Sequence, residues 1–145
     1  MALHSLPIAL FLAMAASGIG AEPLQPKPIV PQSFQWRPLP GNPALKVSWL
    51  LGAENQSGLY ALRIALRQGG KIPVHTHPDV RYSTVLSGTL FVGFGDRGDE
   101  TRLVAVPPGA VYLVPAGVPH YLYARDGDVV YQEGGAGPSA TEFLE

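Results

Sequence analysis

The chain has no cysteine. That excludes disulfides, thiolate nucleophiles and zinc–thiolate sites together. Charge is also scarce. With 14% of residues charged and a net charge of −1, no basic surface invites nucleic acid or anionic lipid. No Gly-rich phosphate loop, Gly-x-Ser-x-Gly elbow or helix-turn-helix pattern occurs in the 145 residues. Long apolar runs are nearly absent too. The exception, "LPIALFLAMAA" at 6–16, is eleven residues long, too short to span a bilayer but the right length for a signal-peptide core. Small residues follow in "SGIGAEP", although no Lys or Arg precedes the run. The expectation is a signal peptide over 1–21 and an exported, periplasmic or secreted protein with no stable membrane insertion after processing.

Glycine (17) and proline (15) are plentiful, which suits short strands and tight turns better than long helices. Seven prolines fall within 22–43, so that stretch reads as an extended arm along a sheet edge or toward a neighbouring subunit. Strand signals begin at "KVSWLLG". "LYALRIALRQGG" alternates, with Tyr60, Leu62, Ile64 and Leu66 on one face. "YSTVLSGTLFVGFGD" has the form of a hairpin turning at Ser87-Gly88. "RLVAV", "AVYLV", "HYLYA" and "VVYQE" supply further strands, and the tail "GGAGPSATEFLE" reads as irregular. Eight or more short strands fit an all-β, antiparallel double-sheet barrel. The expected division is a signal peptide (1–21), a Pro-rich arm (22–44), a barrel (45–136) and a C-terminal tail (137–145).

Beyond His4, the histidines are His75, His77 and His120, all at ends of expected strands. Residues i and i+2 of a strand point the same way, so His75 and His77 can face one ion, and His120 can join them from an adjacent strand. Imidazole suits Fe, Zn, Cu or Ni rather than Mg or Ca. The bland alternative is a pair of loop histidines plus one buried, hydrogen-bonded ring.

The surroundings of these histidines resemble the two motifs of the cupins, small jelly-roll barrels. The first motif reads "GGKIPVHTHPDVRYSTVLSG", with Gly69, His75, His77 and Gly88 at the family spacing; the second reads "GAVYLVPAGVPHYLYA", with Gly109, Pro115, Gly117 and His120. Two positions depart: Arg81 stands where the family has a ligand Glu, and Ala124 where it has Asn. The resemblance implies a jelly-roll fold with His75, His77 and His120 as ligands of a divalent transition metal (Fe, Mn, Zn, Ni or Cu).

Asp79 is the one nearby acid, and a surface pairing with Arg81 fits it better than ligation. Either the site uses three histidines, as in some dioxygenase members, or the barrel has lost its metal. Three neutral imidazoles leave a divalent charge uncompensated, which favours an anionic ligand or deprotonated water. Arg81 then becomes a candidate to orient an anionic substrate through its forked donors. Glu133 is a candidate general base, while Tyr82, Tyr112, Tyr121, Tyr123 and Tyr131 are candidate pocket or core residues. Two functions remain open: a metal-dependent enzyme, most naturally an oxidoreductase with hydrolase or isomerase next, and a non-catalytic module that binds a small ligand or metal. A homodimer is expected in either case.

Overall fold

The computed structural model describes residues 25–144. The expected signal peptide, His4 and the start of the arm lie outside the described residues. The strands are β1 (Arg37–Leu39), β2 (Asn42–Leu51), β3 (Gly58–Leu66), β4 (Lys71–Thr76), β5 (Arg81–Ser87), β6 (Leu90–Phe94), β7 (Val104–Val106), β8 (Val111–Val114), β9 (His120–Tyr123), β10 (Val129–Gly137) and β11 (Glu142–Phe143). They form two antiparallel sheets, ordered β1-β2-β3-β10-β5-β8 and β11-β4-β9-β6-β7. This is the double-sheet jelly roll that the short, evenly spaced strands imply.

The inward faces follow the sequence alternation. On β3, Tyr60, Leu62, Ile64 and Leu66 are all buried, while Ala61, Arg63 and Ala65 between them stay partly exposed. They meet Val85 of β5, Val92 of β6 and Leu122 of β9 in one core between the sheets. Each fully buried aliphatic side chain there contributes about 1.5–3 kcal/mol. Among the described residues, the proline-rich stretch supplies a short 3-10 turn at Pro31–Ser33, then β1 at a sheet edge, where a missing backbone donor costs least, and the first residues of β2.

Three expectations change. "YSTVLSGTLFVGFGD" is not a hairpin: β5 pairs with β10 and β8, whereas β6 pairs with β7 and β9 in the other sheet. The Ser87-Gly88 turn is a corner between sheets. Gly88 has φ +72°, and a Cβ there would run into the Asp128 carbonyl next to β10. A corner and a hairpin ask for the same turn residues, so local sequence does not separate them. Second, the tail is not wholly irregular: β10 runs on to Gly137, and β11 pairs with β4, placing Glu142 opposite Thr76 and Phe143 opposite His75. Pairing thus extends past both ends of 45–136, through β1 and β11. Third, in "RLVAV" the strand begins only at Val104, because Asp99 caps a 3-10 turn over Glu100–Arg102 through the Thr101 amide.

Candidate metal centre

His75 lies near the end of β4, His77 just beyond it, and His120 at the start of β9. His75 and His120 face each other across the β4–β9 ladder. That register depends on a bulge. Ile72 pairs with Leu122 and His75 with His120, so three steps along β4 match two along β9. The surplus residue, at Pro73–Val74, resets the strand's alternation, and Ile72, His75 and His77 all become buried. Proline suits the irregular position because it has no amide to place in the ladder. Beyond β4, the Gly117 amide donates to the His77 carbonyl at 2.7 Å and pins that residue to the turn preceding His120.

The ligating atoms of the three rings lie within 4.8 Å of one another. Each Nδ1 is held by a main-chain carbonyl: His75 by Pro73 at 2.7 Å, His77 by Ala140 at 2.9 Å and His120 by Val118 at 3.1 Å. A carbonyl only accepts, so Nδ1 carries the proton and Nε2 keeps its lone pair. Burial, reinforced by the neighbouring His120, pushes His75 down to about 3; burial also lowers His77 and His120. All three are therefore neutral at pH 7. Three oriented, neutral, converging imidazoles are a donor set that fits a divalent transition ion.

Arg81 is interior, at 3% exposure. Its Nη1 donates to Glu133 at 2.8 Å, its Nη2 to Glu54 at 2.8 Å and its Nε to Asp79 at 3.3 Å. Nη2 also reaches Ser139 Oγ and the Ala140 carbonyl, each at 3.2 Å. Burial is the largest single influence and works against the charge, but Glu133, Tyr60 and Glu54 together hold the guanidinium above its ordinary value. Ser83 donates to the other Glu133 oxygen at 3.2 Å. The pairing of Asp79 with Arg81 is thus an inner one rather than a surface one. Tyr60 also donates to Asp79, at 2.6 Å, as does Ser139, and these bonds hold the Asp79 carboxyl below its usual range despite burial. Asp79 is not among the groups that converge with the histidines.

A cavity of about 150 Å³ adjoins His75 and His77. Glu54, Arg81 and Glu133 form its polar wall, and Leu45, Ile64 and Leu122 contribute to its apolar one. Of the tyrosines, Tyr131 reaches this cavity, Tyr112 and Tyr121 are buried elsewhere, Tyr123 is partly buried and Tyr82 faces outward. Ala124, at the Asn position of the second motif, is fully buried. Glu54 escaped sequence reasoning because the polar turn "AENQSG" has no pattern. The one usable signal was that a permanent cation on an inward strand position requires carboxylate partners.

Comparison with known proteins agrees with this architecture. A family model described as Cupin matches residues 51–134. Germin-like protein 3-1 of Oryza sativa subsp. japonica is 35% identical over 77 residues, covering 52% of this chain and 34% of that protein. Germin-like protein subfamily 1 member 1 of Arabidopsis thaliana is 31% identical over 97 residues, covering 66% and 45%. The chain thus spans less than half the length of these relatives. Among solved structures, the polyketide cyclase RemF from Streptomyces resistomycificus superposes with TM-score 0.67 at 19% identity, covering 83% of this chain and 88% of RemF. The DMSP lyase DddQ from Ruegeria pomeroyi gives TM-score 0.64 at 20% identity, covering 78% and 62%. At such identities the likeness is one of fold.

Proposed function

The chain belongs to the cupin family, and from that premise we propose that it is a metal-dependent cupin in which His75, His77 and His120 hold a divalent transition ion and a small molecule is transformed in the adjoining cavity. One observation carries the reading: each imidazole has its Nδ1 on a backbone carbonyl, which leaves Nε2 to bind, and the three buried rings bring a nitrogen each within 4.8 Å of one another. A core histidine with only a structural role needs no such convergence. When bound, the ion would supply Lewis acidity or dioxygen activation. We assign the protein to oxygen-dependent oxidoreductases first, because three histidines without a carboxylate suit that chemistry by family resemblance, with hydrolase or isomerase chemistry next. The chain's own residues fix the imidazole tautomers, exclude water with apolar walls and place Glu54 and Glu133 beside the substrate.

Export belongs to the same proposal and is supported by the apolar run and small residues of 1–21. Among the described residues, no helix is long and apolar enough to cross a membrane. A homodimer is supported by the outer face of β5 and the edge strand β8, where Tyr82, Val111 and Leu113 lie more than half exposed side by side. A monomer in sedimentation at micromolar concentration would remove the dimer.

The test is metal content. The mature protein, purified without a histidine tag and reconstituted with Fe(II), Mn(II), Zn(II), Ni(II) or Cu(II), is expected to hold close to one equivalent of its preferred ion. His75→Ala and His120→Ala should each retain less than about a tenth of that. Less than a tenth in the parent protein with every ion would end the metal reading. Oxygen uptake with panels of small molecules then separates an oxygenase from a binder.

A further inference from the structure

The Arg81 cluster alters what the cavity can accept. On sequence grounds an uncompensated divalent charge and an inward Arg81 both point to an anionic substrate. In the structure that guanidinium is already matched by Glu133, Glu54 and Asp79. One cation against three carboxylates leaves a formal charge of −2. Glu54 and Glu133 line the cavity, and Arg81 is the one Arg or Lys among its lining residues. Both Nη2 protons have acceptors in Glu54 and the Ser139–Ala140 segment, so a bidentate grip on an incoming carboxylate would require breaking hydrogen bonds and ion pairs already made.

We infer that the cavity selects neutral small molecules and rejects carboxylates and phosphates. The apolar body of the ligand lies against Leu45, Ile64 and Leu122, and a hydroxyl or amide N–H turns toward Glu133 and Glu54, whose carboxylates only accept. Glu54 and Glu133 are thereby specificity-determining, and Arg81 is a positioning residue that holds them together, with Asp79 adding its charge behind the cavity wall. This deepens the proposed function and rests on its placing the ligand in this cavity. With a divalent ion on the histidines, the cluster's formal −2 would offset the ion's charge, in place of the ligand carboxylate missing at position 81. Without the ion the wall is simply negative. Without the ion an anion meets a repulsion that a neutral ligand avoids; with it the centre is formally neutral, and an anion gains no net attraction to offset its desolvation beside Glu54 and Glu133.

Matched amide and acid pairs test this: isobutyramide with isobutyrate, and benzamide with benzoate. Each is titrated at neutral pH into chelator-treated and cobalt-loaded protein. Fluorescence of Trp49, which lines the cavity, reports binding in the first, and the visible cobalt absorption in the second. The amide should bind at least roughly tenfold tighter than its carboxylate in both states, and Glu54→Gln should narrow that ratio about threefold or more. Binding of the acid as tight as the amide in either state, or failure of every amide to bind, overturns the inference. If cobalt does not bind but the amide preference persists in the chelator-treated protein, the metal reading falls and this one stands. If cobalt binds and the acid wins, the reverse holds.

Discussion

Arg81 occupies the position where the family pattern has its ligand glutamate, and Glu133, Glu54 and Asp79 surround it. Removing one partner of a buried ion pair leaves the other charge desolvated. Arg81→Met would strand Glu133, which is 6% exposed, with Ser83 as its remaining donor. The expected cost is about 3–5 kcal/mol in urea unfolding, and Arg81→Lys should recover only part of it because an ammonium lacks the fork that reaches three carboxylates at once. An unfolding midpoint unchanged in Arg81→Met would show the cluster to be energetically idle. At this scale the sequence was informative about ligands and poor about partners. Three histidines are rare residues at a family spacing. Glu54 and Glu133 are ordinary acids that matter only because folding carries them from the β2–β3 loop and β10 to one guanidinium.

The elements show a similar division. The alternation on β3 was legible because one face meets the core and the other does not. The β5–β6 corner was not, since the partner of a strand is chosen by non-local burial that turn chemistry does not encode. Nor was β11, two residues long and stabilised by its ladder with β4. The bulge at Pro73–Val74 was equally hidden, although the site depends on it. Deleting Val74 would leave two steps along β4 against two along β9, so a regular ladder would keep Ile72 and His75 on the same inward face. The expected product keeps its β-rich circular dichroism and retains metal binding within about the 10–100-fold typical of disturbing an outer-shell contact, here the Pro73 carbonyl on His75. Loss of metal by much more than about a hundredfold would show that residue count along β4 does not set the direction of His75.

For the whole molecule, the buried histidines imply a pH dependence of folding. His75 titrates at about 3 in the folded protein against an ordinary 6.5. Below pH 6.5 the unfolded chain takes up a proton that the folded chain refuses. The stabilisation is therefore complete above about 6.5 and is lost progressively as the pH falls toward 3. For metal-free protein, His75 alone should account for a loss on the order of 2 kcal/mol by about pH 5. His77 and His120, shifted in the same direction, add to it. Thermal unfolding at several pH values checks this, and His75→Phe should flatten the slope. A melting temperature constant from about pH 7 to 5 would contradict it.

One oxygen connects the distant parts of this barrel: the Ala140 carbonyl accepts from both His77 and Arg81, and a few residues later the Leu144 amide returns to the Val74 carbonyl at 2.9 Å. Binding free energies between linked sites are reciprocal. Whatever rigidity an occupied histidine cluster confers on residues 138–144, those residues must return as tighter retention of the ion. Deuterium uptake at Leu144 should slow when metal is added, and truncation after Gly137 should raise the metal Kd by the corresponding factor.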